Sequence, residues 1–334
     1  MRVAIYGAGA MGTAMGAYFA RAGKAVDVIC RNRAHVSAMR KSGVRISGTD
    51  DFTAEVNALL PEEMEGRYDI IFLTTKQLEN DVTAHFLDAF LNEDGVLCTI
   101  QNGLPEYALA EILGKRRVLG CVCSWGASLV SPGEVVMTSS PEKIEFQIGS
   151  PFDEKAPSEK VREILSLMGR VAEEANFLGA RWTKLIINNA FSPLSGLTGL
   201  TFGQIARQRR FRRIAQGIFN ESAAVCRALG VKPSKIQGHD AVGLLSYNNP
   251  FKRAFSSLLF PVAMKNHSHI LSGMYYDLSR GKKCEVEYFC GIVSSFGDKV
   301  GVDTPLTDKM SGLIGEIERG ERAISPDNIQ AFYS

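Results

Sequence analysis

Residues 3–12 read VAIYGAGAMG, and this stretch limits the possible folds more than any other in the chain. Val3–Tyr6 is short, apolar and strand-like, and beyond Gly7 the apolar period becomes helical. Gly7, Gly9 and Gly12 stand in G-x-G-x-x-G spacing between that strand and that helix, the context in which the spacing binds a dinucleotide. Gly7 permits the tight turn, and Gly9 lets the backbone approach a pyrophosphate. Gly12 lets the helix pack close to the strand, while Ala10 and Met11 complete a loop whose helix N-terminus faces the phosphates. A tight strand–helix turn without a ligand is the alternative, and the surrounding pattern weighs against it.

The first half of the chain repeats this theme. Val3–Tyr6, Ala25–Cys30, Asp69–Thr74, Gly95–Ile100 and Val118–Val122 read as successive strands, mostly apolar and separated by helical segments. Strands apolar on both faces imply βαβ units and a parallel sheet. Val135–Thr138 and Ile144–Ile148 alternate more and are expected to form an added antiparallel pair. After Asn176 the strand signals stop, and from Trp182 to about Ile324 nearly everything has helical period. The expected fold is therefore α/β: an N-terminal Rossmann-type, doubly wound sheet over residues 1–180, then a mostly α-helical domain over 181–334. The segment Gly238–Pro250 reads as a loop with a turn at Tyr247–Pro250.

Composition narrows the function. With 334 residues, 45% apolar and 22% charged, the chain is long enough for two domains and ordinary for a globular protein. A net charge of +2 offers no reason to expect nucleic acid or an anionic membrane as partner. No apolar run has the length of a membrane span. The N-terminus could be misread as a signal peptide, but its glycine spacing argues for structure, so a cytoplasmic protein is expected. The seven cysteines are odd in number and scattered without a C-x-x-C pair, which argues against zinc and against a disulfide framework. Arg207–Arg213 is strongly basic and reads as a solvated helix face. Contact of that run with an anionic ligand or a second subunit is the alternative, and a homodimer stays among the partners considered.

The second strand bears on the choice of cofactor. It ends in Arg31-Asn32-Arg33, without the carboxylate that takes a ribose 2′-hydroxyl in NAD-specific folds. Arg31, and less directly Arg33, can instead neutralise a 2′-phosphate, so NADP(H) is expected. Thr74-Thr75-Lys76 and Gln101-Asn102-Gly103 each follow a strand, where a doubly wound sheet places its ligands. Lys76 could equally be a surface lysine, and Asn102–Gly103 a simple turn. Downstream, RWTKLIINNAFSPL at 181–194 puts Lys184 and Asn188 one turn apart in a helix otherwise built for a core. Lysine is almost never fully buried without a partner. Pro193 is expected to kink or end that helix.

Taken together, GAGAMG at 7–12, Arg31, TTK at 74–76, QNG at 101–103, WTKLIINN at 182–189, DLSRGKKCEVEY at 277–288 and GVDTPLTDKM at 301–310 resemble the ketopantoate reductases (2-dehydropantoate 2-reductases) of pantothenate biosynthesis. The resemblance runs over essentially the whole chain. It implies an N-terminal Rossmann domain, a helical C-terminal domain and catalysis between them. The family's catalytic lysine falls on Lys184 and its partner asparagine on Asn188. The asparagine beside the nicotinamide falls on Asn102, a cofactor-side lysine on Lys76, and the glutamate that contacts the substrate hydroxyl on Glu285. Three positions depart from the family pattern, all on the substrate side. Ser192 stands in place of a second asparagine, Gly273 in place of a carboxylate-holding serine (with Ser272 beside it), and Cys290 in place of another asparagine.

Such an enzyme reduces a 2-oxo acid. That chemistry needs a hydride, a proton for the nascent alkoxide and stabilisation of its charge. The resemblance implies that Lys184 provides the last two as general acid, with Asn188 orienting either the lysine or the substrate oxygen, and Glu285 bonding a second substrate group and keeping the lysine charged. Ser192 and Ser272 join the expected substrate contacts. Losing one side-chain donor to a buried polar group costs about 1–3 kcal/mol, enough to change the preferred acid. The alternatives are another oxo acid or imine on the same machinery, or a regulatory protein that binds NADP(H) without turnover.

Overall fold

The structure is a computed structural model that describes residues 1–236 and 238–333. The chain divides into two units, Met1–Phe177 and Leu178–Ser334. The first opens with β1 (Val3–Tyr6), α1 (Ala10–Arg21), β2 (Asp27–Ile29), α2 (Arg33–Ser42), β3 (Val44–Gly48), β4 (Phe52–Ala54) and β5 (Asn57–Leu59). It continues with β6 (Tyr68–Leu73), α3 (Asn80–Asp88), β7 (Leu91–Thr99), α4 (Glu106–Leu113) and β8 (Val118–Cys123). It closes with β9 (Ala127–Ser131), β10 (Glu134–Met137), β11 (Glu145–Gly149), α5 (Glu159–Leu165) and β12 (Arg170–Glu173).

The main sheet has eight strands in the order β12-β11-β8-β7-β6-β1-β2-β5. From β5 to β8 every neighbouring pair is parallel, and β11 runs antiparallel to β8. The chain leaves β1 towards β2 on one side and returns to β6 on the other. The sheet therefore reverses between β1 and β6, and that switch point is where a doubly wound fold binds its ligand. A second sheet, β4-β3-β10-β9, covers the far side of α1. This placement explains why α1 carries no charged side chain before Arg21. Phe19 packs on Phe72 of the main sheet, and Tyr18 meets Phe52 of the small sheet edge-on, at 5.1 Å between ring centres.

The small sheet corrects one expectation. Val135–Thr138 and Ile144–Ile148 do not pair with each other. β10 lies between β3 and β9 in the small sheet, whereas β11 joins the main sheet between β8 and β12. Alternating burial reports that one face of a strand is covered, not which strand lies beside it. β3, β4 and β5 also escape a reading by pattern, because each is short and broken by polar residues (Arg45 and Ser47, Thr53, Asn57).

Among the described residues the second unit is helical apart from an isolated bridge between Ile236 and His239. It contains α6 (Phe177–Thr198), α7 (Phe202–Arg207), α8 (Arg209–Ala228), α9 (Ala241–Leu245), α10 (Pro250–Ala263), α11 (Gly273–Leu278), α12 (Cys290–Val300) and α13 (Pro305–Glu318). Phe191 of α6, Phe202 of α7, Phe219 of α8 and Phe260 of α10 form its aromatic centre. Full burial of the Phe191, Phe219 and Phe260 rings contributes about 1.5–3 kcal/mol each. Glu221 of α8 caps α13 by accepting from the Leu306 and Thr307 backbone N–H groups and the Thr307 hydroxyl.

Two local expectations change here and one is met: α6 runs through Pro193 and ends soon after it, at Thr198, with Leu194 and Leu197 buried in the core. The helix stops at Gly199, whose φ of +71° suits glycine. The 238–250 segment is not all loop: it holds α9, and Asn249-Pro250 starts a helix, with the Asn249 side chain accepting from Lys252 N–H at 2.8 Å. The basic run 207–213 is not one solvated face. It spans the end of α7 and the start of α8, and Arg212 turns back to donate to the carbonyls of Ala206 and Arg207 at 2.9 and 2.8 Å.

Candidate active site

At the carboxyl end of β1 the three glycines do three different things. Gly7 has a φ of +110°, and a Cβ there would lie 2.6 Å from the Thr75 backbone nitrogen. Its N–H and that of Ala8 both donate to Ile29 O at 3.0 Å, tying the turn to β2. A Cβ on Gly12 would lie 2.6 Å from both Gly7 O and Thr74 Oγ1. Thr74 Oγ1 in turn donates to Gly7 O at 2.7 Å. A Cβ on Gly9 would meet nothing within 4 Å. Gly7 and Gly12 are thus closed in by protein, while Gly9 fronts open space at the start of α1, a twelve-residue helix with no acidic residue in its first turn. Ala10, Met11 and Gly12 supply the unpaired N–H groups that begin any helix. A dinucleotide pyrophosphate fits this cradle by shape and by charge.

The neighbouring loops meet the same edge of the sheet. Arg31 stands just beyond β2, as its sequence position implies, and its guanidinium is paired with Glu79 at 2.5 Å. Arg33 is paired with Glu62. The Tyr6 hydroxyl lies in the field of both Arg31 and Glu79, and burial is the main reason its proton is held more tightly than usual. Lys76 is exposed on the loop after β6, and Asn102 is half-buried on the loop after β7.

Under these two loops lies a polar network that pattern reading missed. Asn80 and Gln101 exchange amide bonds at 3.0 and 2.7 Å, and Gln101 also accepts from Thr99 Oγ1. Gln77 Nε2 holds the Asn102 carbonyl at 2.6 Å. The available signal was a cluster of amide side chains directly after two buried strands. Amides placed there have little to bond except one another.

In the second unit α6 sets the scene. Trp182 is buried edge-on against Phe296 of α12, and Thr183 donates to the carbonyls of Gly179 and Ser234 at 2.8 and 3.0 Å. Asn189 points into the core, where its amide donates to Ser222 Oγ at 3.0 Å. These anchors fix the rotation of the helix. They leave Lys184 and Asn188 half-buried one turn apart, with Ser192 buried one turn further on.

Ser272 ties α11 to α6. Its Oγ donates to Ser192 O at 2.9 Å and accepts from Tyr275 N–H at 3.1 Å, and its own N–H donates to Ser195 Oγ at 3.2 Å. Its single hydroxyl proton therefore goes to the backbone of α6. Beside it, Gly273 is exposed, and a Cβ there would meet nothing within 4 Å. Glu285 is half-buried at the head of a short 3-10 turn, and the preceding Cys284 N–H donates to Glu318 at 2.8 Å. Cys290 is fully buried, and burial pushes its thiol pKa well up, so it behaves as a core side chain. Among the described residues no group of three or more His, Cys, Asp or Glu side chains could hold a metal ion. Among them too, no helix is long and apolar enough to cross a membrane.

Comparison with known proteins bears on the family and the fold. Residues 3–151 match the family model described as ketopantoate reductase PanE/ApbA, and residues 176–318 match the model of its C-terminal part. The 2-dehydropantoate 2-reductase of Archaeoglobus fulgidus is 28% identical over 96% of this chain and 98% of its own length. That of Pyrococcus horikoshii is 26% identical over 94% and 96%. The crystal structure of a PanE/ApbA family ketopantoate reductase from Ralstonia eutropha superposes with a TM-score of 0.80 at 26% identity, covering 97% of this chain and all of that one. D-mandelate dehydrogenase in a ternary structure with NADH and anilino(oxo)acetate has the same fold, with a TM-score of 0.81 at 22% identity over 96% and 99% of the two chains.

Proposed function

The chain belongs to the ketopantoate reductase family, and on that premise we propose that it reduces a 2-oxo acid of the 2-dehydropantoate type to the 2-hydroxy acid with NADPH. It is an oxidoreductase of the class acting on CH–OH donors. Lys184 and Asn188 carry the reading: they sit half-buried one turn apart, on a helix whose rotation is set by buried anchors on its other sides.

The cofactor, when bound, supplies the hydride. The turn at Gly7–Gly12 receives the pyrophosphate, with Gly9 leaving room for it, and Arg31 takes the 2′-phosphate in exchange for Glu79. Lys76 and Asn102 complete the cofactor side. Lys184 Nζ donates its proton to the carbonyl oxygen as that oxygen becomes an alkoxide. Its positive charge favours the alkoxide over the neutral ketone, and that difference lowers the barrier. The Asn188 amide orients the same oxygen, and Glu285 accepts from the substrate hydroxyl. Ser272 shapes the acid end of the site through the Ser192 carbonyl it holds, and the Ser192 side chain lines it.

The decisive experiment pairs turnover with binding. Lys184→Ala is expected to lower kcat by a factor of roughly a hundred or more while NADPH still quenches protein fluorescence with native affinity. Retained turnover would refute the assignment. A second reading, a bulkier 2-oxo acid, is favoured by the open space over Gly273. A panel comparing kcat/KM for 2-dehydropantoate with that for aryl-substituted 2-oxo acids separates the two readings.

A further inference from the structure

The helix α10 carries an apolar stripe that no other part of the described chain covers. Phe251 is 89% exposed, Phe255 58%, Leu258 71% and Val262 69%. Their spacing of four, three and four residues places them on one face in the 3.5-residue repeat of a helix–helix seam. The opposite face is already occupied. Ser256 and Phe260 are buried there, with Phe260 against Phe219 and Phe191. A helix apolar on both sides calls for two partners, and its own unit provides one.

We propose that this stripe is a twofold contact with a second copy of the chain, in which α10 packs antiparallel on α10 of the partner. The stripe is complementary to itself in that arrangement. About a twofold axis between Ser256 and Ser257, each Phe251 faces a Val262 and each Phe255 a Leu258, so every ring meets an aliphatic side chain.

The area also matches. With about 150–250 Å² per aromatic side chain, the exposed portions of Phe251 and Phe255 alone come to about 300 Å², and the mostly exposed Leu258 and Val262 add to it. A standard interface takes about 800 Å² from each partner and is about 65% apolar in homodimers, or about 520 Å² of apolar surface per copy. Leu244 of the neighbouring α9, 49% exposed, extends the patch. A patch of this size is at the upper end of what a typical monomer exposes, and patches of that size are often functional.

Charge selects the occupant. From Ala254 to Val262 the helix has no ionisable side chain, and Lys252, Arg253 and Lys265 lie at its two ends. An anionic membrane or an acidic peptide would be met by basic groups along the flanks of the stripe. A neutral seam suits an identical neutral helix.

Sedimentation of the full chain at micromolar concentration is the test. The native chain is expected to run at twice its 36.5 kDa mass. Phe255→Glu and Leu258→Glu are each expected to weaken self-association by roughly a hundredfold or more, because a charge would be buried without a partner. Both variants should keep native far-UV circular dichroism, since both side chains face outward. Val82→Glu, an equally exposed position on α3, should leave the dimer intact. A monomeric native chain overturns the proposal, and so does a dimer that survives both stripe variants. Co-sedimentation of a monomeric chain with phosphatidylserine-containing vesicles would overturn it in favour of a lipid contact.

Discussion

Arg31 follows the second strand of the main sheet with its guanidinium on Glu79, a residue 48 positions further along the chain. An exposed pair of this kind is worth about 0–1 kcal/mol, so it yields readily to a phosphate. Glu79 nonetheless competes with a 2′-phosphate for Arg31, and its carboxylate is the kind of group that accepts from the 2′-hydroxyl of NADH. Replacing Glu79 by Gln is therefore expected to raise the ratio of NADH to NADPH dissociation constants by up to about fivefold, and Arg31→Gln to lower it. Fluorescence titration with both nucleotides reads the ratio directly. An unchanged ratio in both variants would remove this pair from cofactor selection. The same scale separates Ser272 from Gly273. Ser272 looks free to bind a carboxylate in the sequence but gives its proton to Ser192 O, while Gly273 leaves open space.

The first strand–turn–helix element makes a contrast that one experiment can read. At Gly12 an added methyl would press on the Gly7 carbonyl and the Thr74 hydroxyl at 2.6 Å, so α1 would have to move off the sheet. Gly12→Ala is expected to destabilise the protein by about 1–3 kcal/mol, the usual cost of overpacking, seen as a lower urea midpoint. At Gly9 the same methyl meets nothing and φ is −81°, so Gly9→Ala should fold with native stability and lose dinucleotide affinity. If Gly9→Ala bound NADPH normally, the pyrophosphate would not lie against this turn. G-x-G-x-x-G spacing shows this element in the sequence, because turn, close approach and helix contact are all local demands on backbone. The Gln77, Asn80 and Gln101 network beneath the neighbouring loops is less visible, since its partners come from two strands' ends.

At the scale of the whole molecule, His35 joins parts that pattern reading treats separately. Its ring is buried, with Nδ1 accepting from Gly133 N–H at 2.9 Å and Nε2 lying 3.0 Å from Thr13 Oγ1. It therefore ties α1, α2 and the turn between β9 and β10. Since Nδ1 accepts, the neutral ring carries its proton on Nε2 and donates it to Thr13. Burial lowers the pKa of His35 below its usual value near 6.5. Well above pH 6.5, by about one unit or more, folded and unfolded chains are both neutral at this site, and it adds no pH dependence. As the pH falls below that value the unfolded chain takes up the proton first, so stability drops until the folded pKa is passed. Urea midpoints at pH 5.5 and 7.5 are expected to differ in this sense, and the difference should shrink in His35→Gln.

By itself the sequence determined the strand–turn–helix at residues 3–21, the run of parallel strands, the change to helix after Asn176 and the family. Each of these is written in spacing or period over a few neighbouring residues. Tertiary structure alone decided that β10 and β11 belong to different sheets, that Arg31 holds Glu79, that the Ser272 hydroxyl is committed to α6, and that one face of α10 is left bare. The physical reason is common to all four. A local pattern says how much of a side chain must leave water, whereas its partner is chosen by residues dozens of positions away that only the folded chain brings within bonding distance.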